Sequence, residues 1–382
     1  MKVLFLNYEY PPLGGGAGNA TAYILREYAQ RSDMEVHLVT SSCDEYQETS
    51  LSKNVKIFFV PIGKKGGNLH HQSLWDILAY AWQGYRFADR LLAQEKYDVI
   101  HAFFSVPCGY MAMCLGKKYH VPYLVSLRGA DVPGYSERFT FIYFFLRALI
   151  RRIWRKAAFV VANSSGLRTL ALETNQTQEI SVVQNGVNVD EFYPDPQREI
   201  DGYMRILCVS RLTPRKGIRY LIHAIKILLV KDTSRKLELW IAGEGDEMTA
   251  LKNLAVELGI KDKVKFFGRV EHEKLVAYYQ IADIFCLPSH NEGMSNTMLE
   301  ALAAGMPIVA TITGGTEELV TDGENGFFVK QQSADDLAEK LEKLMSDETM
   351  RVAFGKMSRR RAEAMSWQKV SGQYVDLYRA AQ

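Results

Sequence analysis

Glu292 and Glu300 stand eight residues apart in Pro288-Ser289-His290-Asn291-Glu292-Gly293-Met294-Ser295-Asn296-Thr297-Met298-Leu299-Glu300-Ala301-Leu302-Ala303-Ala304-Gly305-Met306-Pro307, a spacing that sets two carboxylates around a strand-to-helix corner. Residues 284–287 read as a buried strand ended by Pro288, and residues 297–304 as a helix stopped by Gly305 and Pro307. Glu292 then falls in the loop and Glu300 about a turn into the helix. The helix start, around Gly293, Met294, Ser295 and Asn296, offers backbone N–H groups and the positive end of the helix dipole, which suit a phosphate. The flanking carboxylates can accept hydrogen bonds from sugar hydroxyls. A ligand that joins a diphosphate to sugars matches this set; a capped helix with two solvated acids matches the same residues taken alone.

Other groups with chemical potential follow predicted strands. Ser210-Arg211-Leu212-Thr213-Pro214-Arg215-Lys216-Gly217 brings a guanidinium fork and a compact ammonium to one strand end. Arg211 and Lys216 there can neutralise a departing diphosphate, whereas a solvated basic turn is the plain alternative. After the first strand, Pro11-Pro12-Leu13-Gly14-Gly15-Gly16-Ala17-Gly18 leads into a helical pattern from about Asn19. Consecutive glycines let backbone approach a phosphate closely, although the spacing is not the dinucleotide fingerprint and an ordinary tight turn reads equally well. Ser126-Leu127-Arg128-Gly129-Ala130-Asp131 ends another strand; Arg128 could bind an anionic group and Asp131 orient it or take a proton, unless the two form a surface ion pair. His101 ends the strand before that one.

These residues need a scaffold of many strand ends. Apolar runs at 3–6, 36–39, 55–60, 99–102, 123–127, 159–162 and 180–183 alternate with helical patterns, as do runs at 206–209, 237–242, 264–267, 284–287, 308–310 and 327–329. That alternation predicts an α/β fold with parallel sheets covered on both faces. Turn residues from Asn185 through Pro196, then polar residues to Gly202, separate the series, giving a first domain over 1–190 and a second over 203–364. At 382 residues the chain suits two doubly wound domains, whose ligands lie outside the carboxyl ends of the strands. The net charge of +2 gives no argument for nucleic acid.

The motifs together resemble glycosyltransferase family 4, retaining enzymes of the GT-B fold: Pro-Ser, Glu-Gly, Leu-Glu-Ala and Gly-x-Pro in the first segment, Arg211 with Lys216-Gly217, Ala242-Gly243-Glu244-Gly245, residues 264–268, and Trp367. The similarity spans nearly the whole chain. It implies two Rossmann-like domains facing across a cleft, with the terminal helix, 365–382, crossing back to the first. By the resemblance Glu292 contacts the transferred sugar, Glu300 the ribose, and Arg211, Lys216 and Gly293–Asn296 the diphosphate. Gly15 and Gly16 close the pyrophosphate and acceptor side, Gly243 borders the donor, and main chain at Arg269 and Val270 lines a base pocket. Many relatives carry histidine where this chain has Arg128, so a histidine's role does not transfer. The implied reaction moves a sugar from a UDP- or GDP-sugar to an acceptor hydroxyl with retention, in cell-surface polysaccharide, lipopolysaccharide or glycolipid synthesis. A nucleotide-sugar epimerase and a non-catalytic binding subunit are the rival readings on this architecture.

Residues 137–156 interleave six basic side chains with aromatic and aliphatic ones, a mixture suited to anionic headgroups and equally to a core helix with a basic outer edge. Lys64-Lys65, ahead of Leu69 to Leu92, could add to that surface. A lipid-linked acceptor would match such contact. No cofactor is expected, and no metal-ligand spacing or Asp-x-Asp at a strand end is evident, so metal-independent activity is the expectation. The five cysteines lack CxxC pairing and read as reduced. With a strand beginning at the N-terminus and no spanning run, a cytoplasmic protein, possible at the inner membrane face, is expected.

Overall fold

The computed structural model describes residues 1–63, 73–135, 140–198, 201–234 and 236–382. The chain divides into two compact units, Met1–Asn185 with Trp367–Gln382, and Gly186–Ser366. The seam thus falls before Gly186, where the sequence places it after residue 190, because Val187 and Phe192 are buried in the second core.

The first unit runs β1 Lys2–Leu6, α1 Gly16–Ala29, β2 Glu35–Ser42, β3 Gln47–Ser52, β4 Val55–Pro61, α2 Leu74–Gln94, β5 Val99–Phe103, α3 Tyr110–Tyr119, β6 Tyr123–Leu127, α4 Thr140–Lys156, β7 Phe159–Ala162, α5 Ser165–Thr174 and β8 Ser181–Val182. Its strands are ordered β3-β4-β2-β1-β5-β6-β7-β8. Except for β3, they pair in parallel, and β5 and β6 are buried along their whole length, which is why they read as unbroken apolar runs. The polar β3, Gln-Glu-Thr-Ser-Leu-Ser, escapes detection from apolar pattern because it is an exposed antiparallel edge. Right-handed crossovers put α2 to α5 on one sheet face and α1 on the other.

The second unit runs β9 Met204–Val209, α6 Ile218–Lys231, β10 Leu237–Ala242, α7 Met248–Glu257, β11 Val264–Gly268, α8 His272–Ile281, β12 Ile284–Leu287, α9 Asn296–Ala303, β13 Ile308–Thr311, α10 Thr316–Leu319, β14 Gly326–Val329, α11 Ala334–Ser346 and α12 Glu348–Ala364. Its parallel sheet is ordered β11-β10-β9-β12-β13-β14. Strand order reverses between β9 and β12, and in the first unit between β1 and β5. Crevices for ligands open at the carboxyl ends of strands flanking such a reversal. The loops after β9 and β12 are the ones that carry Lys216 and Glu292.

The last helix, α13 Trp367–Ala381, returns to the first unit beside α1. Trp367 stacks on Tyr23 with centroids 5.3 Å apart, and Tyr374 and Tyr378 are buried in the first core.

Candidate functional site

Between β9 and α6 the chain makes one 3-10 turn, Pro214–Lys216, and reverses at Gly217, whose φ is +64°. A Cβ on Gly217 would strike the carbonyl oxygen of Pro288, so only glycine lets the β9 and β12 loops touch. The His290 amide donates to the Arg215 carbonyl at 2.7 Å and secures that contact. Lys216 then reaches Glu292 as an ion pair, each side chain only 13% exposed. Ser289 Oγ donates to the same carboxylate oxygen at 3.0 Å. An ammonium and a carboxylate, both largely shielded, meet at the switch point.

The loop past Glu292 is held from behind. Gly315 packs so closely on the Gly293 carbonyl that a Cβ has no room, and Thr311 Oγ1 donates to the Ser289 carbonyl. Ser295 caps α9 by accepting from the Met298 amide at 3.3 Å. Glu292 and the amides leading into α9 therefore belong to a braced corner.

Glu300, on the first turns of α9, is 8% exposed. Tyr279 Oη donates to its Oε2 at 2.8 Å and His272 Nε2 to its Oε1 at 3.2 Å. His272 Nδ1 lies 3.3 Å from Glu191. With a carboxylate on each ring nitrogen, the hydrogen bond to Glu300 raises the imidazole pKa above its ordinary value, against desolvation. Because the folded pKa is raised, this pair stabilises fully below about pH 6.5 and loses its contribution as pH rises through the raised value. Thermal unfolding followed from pH 6 to pH 9 should show a downward slope that His272→Gln flattens; equal slopes in both proteins would refute the pairing.

Arg211 is exposed and its guanidinium has no partner among the described residues. Gly243 and Gly245 lie against the Ser210 and Leu212 carbonyls, again with no room for a Cβ, which joins the ends of β9 and β10. The Gly243 amide donates to Gly268 at 2.7 Å, and the Arg269 amide to Glu244 Oε1 at 3.3 Å. Val270 packs on the second core. Among the residues singled out from sequence, Arg211, Lys216, Gly243, Arg269, Val270, Glu292, Gly293–Asn296 and Glu300 thus all belong to the second unit. Ser289, already part of the Pro-Ser element of the motif, joins them, as do His272, Tyr279, Glu191 and Gly315, and no spacing signal marks these last four.

In the first unit α1 begins at Gly16, earlier than the sequence pattern suggests, with Gly15 as its cap residue. The Gly15 amide donates to Glu9 Oε2 at 3.3 Å, and Gly14, at φ +92°, packs on the Glu9 side chain. A carboxylate therefore sits at the helix start where the sequence suggests a phosphate.

Arg128 and Asp131 do not form a side-chain ion pair. Asp131 is 4% exposed and accepts from the Arg128 amide at 2.8 Å and from the Ser105 amide and hydroxyl at 2.8 and 3.0 Å. Burial raises its pKa against those hydrogen bonds. Its place is structural, tying the loops after β5 and β6 together, and both oxygens are engaged. Replacing it by alanine strands the buried Ser105 amide and the half-buried Arg128 amide, and a loss of about 2–4 kcal/mol of stability is expected in chemical denaturation; a loss under about 1 kcal/mol would contradict that role.

The Arg128 guanidinium donates to Asn185 Oδ1 at 2.9 Å and Tyr374 Oη at 3.4 Å, and lies over the Phe103 ring. Tyr374 also accepts from Ser126 at 3.1 Å, and His101 bonds Ser126 and Tyr378 at 2.7 and 2.6 Å. Burial, then Arg128, holds His101 well below its ordinary pKa, a neutral packing residue under α13.

Glu35, His37 and Glu95 converge closely enough to hold an ion, a grouping that sequence spacing hides. Lys2 Nζ pairs with both carboxylates, 2.7 Å from Glu35, and supplies the positive charge there. Of the basic aromatic segment, residues 137–139 and Lys64-Lys65 with Leu69 lie outside the described residues. Ile150, Ile153 and Trp154 of α4 are core, while Arg147, Arg151, Arg152, Arg155 and Lys156 form an exposed outer edge. No described helix is long and apolar enough to cross a membrane.

The family model of glycosyl transferases group 1 matches residues 189–361, and that of glycosyltransferase family 4 matches residues 14–191. A D-inositol 3-phosphate glycosyltransferase of Corynebacterium efficiens is 34% identical over 416 aligned positions covering 100% of this chain and 96% of that protein. Among solved structures, sucrose-phosphate synthase of Thermosynechococcus elongatus superposes with a TM-score of 0.83 at 22% identity, covering 99% and 98% of the two chains. Anabaena HepE, in complex with UDP and glucose, superposes with a TM-score of 0.74 at 19% identity, covering 98% of each. These likenesses show the two-domain GT-B fold.

Proposed function

Since this chain belongs to glycosyltransferase family 4, and is thereby a glycosyltransferase, we propose that it transfers a sugar from a UDP- or GDP-sugar to an acceptor hydroxyl with retention of configuration. The observation that carries the donor assignment is the shielded Lys216–Glu292 pair beside the braced start of α9, with Glu300 fixed on the same helix. In this reading Arg211, Lys216 and the amides of Gly293–Asn296 take the negative charge of the departing diphosphate. Glu292 exchanges its lysine for hydroxyls of the transferred sugar, and Glu300 accepts from the ribose. The acceptor hydroxyl attacks on the face the diphosphate leaves, and the departing phosphate oxygen takes its proton. The second unit holds the donor and the first the acceptor. Superposition on a protein that binds UDP and glucose agrees with a nucleotide-sugar donor.

A cell-surface polysaccharide, lipopolysaccharide or glycolipid is the proposed destination, with the basic edge of α4 against an anionic membrane. Thermal-shift binding with a panel of nucleoside diphosphates and their sugars tests the donor reading. A shift selective for one base, weakened in Glu300→Ala and Lys216→Ala, is expected. No shift with any nucleotide from a folded parent would overturn it, and donor consumption without acceptor would favour an epimerase.

A further inference from the structure

Helix α2 carries its apolar residues on two faces, and only one of them is covered. Tyr80, Gly84, Ala88 and Leu92 are buried and fix the helix to the first unit. On the outer face Trp75 is 80%, Leu78 58% and Trp82 64% exposed. The positions 75, 78 and 82 lie along one stripe of a helix, and Arg86 continues it, its guanidinium 5.8 Å from the Trp82 ring centre. Arg90, also exposed, lies one turn further. Large apolar side chains left this bare on a single stripe mark a surface that meets something else.

Charge decides what that partner is. The two acids of α2 are already committed: Asp76 closes a capping box with Ser73, and Asp89 accepts from Lys118 at 2.6 Å. The exposed face is therefore apolar at one end and basic at the other. The neighbouring α3 and α4 lie on the same sheet face, and the outer edge of α4 is basic as well. An anionic bilayer presents phosphates to Arg86 and Arg90 and an interface that favours indole rings.

We propose that α2 lies in the headgroup layer of an anionic lipid bilayer, with Trp75, Leu78 and Trp82 at the acyl boundary and Arg86 and Arg90 on lipid phosphates. This proposal is independent of the donor reading. Co-sedimentation of the full chain with vesicles of phosphatidylcholine, with and without phosphatidylglycerol, tests it.

The parent should pellet with the phosphatidylglycerol vesicles, and Trp75→Ser with Trp82→Ser should weaken that binding about tenfold or more. Arg86→Glu with Arg90→Glu should weaken the dependence on phosphatidylglycerol, and a dependence equal to the parent's would overturn the assignment of these arginines to lipid phosphates. Unchanged thermal unfolding of each variant shows that the fold is intact, since all four side chains are exposed. A parent that stays in the supernatant overturns the proposal. So does a tryptophan variant that pellets like the parent, which would leave the α4 edge as the contact. A parent that sediments as a dimer and is made monomeric by the tryptophan changes would instead assign the stripe to a second copy.

Discussion

Lys216→Ala is expected to lower turnover with the donor chosen by the binding panel by about 10²–10³-fold, the usual effect of removing one donor to a developing anion. The loss should fall mainly on kcat, because the charge that Lys216 meets grows as the diphosphate departs. In the resting structure the ammonium is partnered by Glu292, so its removal also leaves that carboxylate short of its cation. Arg215→Ala is the matched control: Arg215 is exposed, and its carbonyl, which accepts from His290, survives the change. If Lys216→Ala kept kcat within about twofold of the parent while folding normally, the role of leaving-group stabiliser would fall.

Ending the chain at Ser366 is expected to unfold the first unit and leave the second intact. The excised helix buries Trp367, Val370, Tyr374, Val375 and Tyr378 against the first core. At about 1.5–3 kcal/mol for each such side chain, the loss is comparable to the whole stability of a domain, about 5–15 kcal/mol. It also strips His101 of Tyr378 and the Tyr28 hydroxyl of the Ser371 carbonyl, 3.1 Å away. The second unit, Gly186–Ser366, is one continuous stretch with its own core. Limited proteolysis of the shortened chain should leave a fragment close to that span while the first unit is digested. Survival of Met1–Asn185 as a protected fragment would show that α13 is dispensable.

The strands that carry the donor loops were legible because both faces of each sheet are covered, so β9 and β12 are plain apolar runs closed by Ser210 and Pro288. Lys216, Glu292 and Glu300 could be picked out since their loops follow those runs and carry glycine and proline where the backbone must turn. What holds them was not legible. Glu300 meets His272, and through it Glu191, only after α8 is laid beside α9; Gly315 meets Gly293 only across the sheet. Burial was the other hidden quantity. Asp131, read from sequence as a cleft acid, is sealed under two loops, and Trp75 and Trp82, which composition would send inward, are bare. Periodicity tells which residues share a face of α2, but both of its faces are apolar near the N-terminus, and packing chose between them.

Arg128 and His101 reach residues that lie 246 and 277 positions later in the chain. On a ribosome the second unit is therefore complete before the first. While the intervening residues emerge, the sheet formed by the opening half has one face without its final helix, and Ser126, His101 and Arg128 lack their tyrosine partners. Nascent chains fold largely as domains appear, at about 5–20 residues per second, so the early half waits on the order of ten seconds or more for Tyr374 and Tyr378. During that interval it is an unfinished client for chaperones, and the arginine loop acquires its shape only once the helix bearing Tyr374 has emerged.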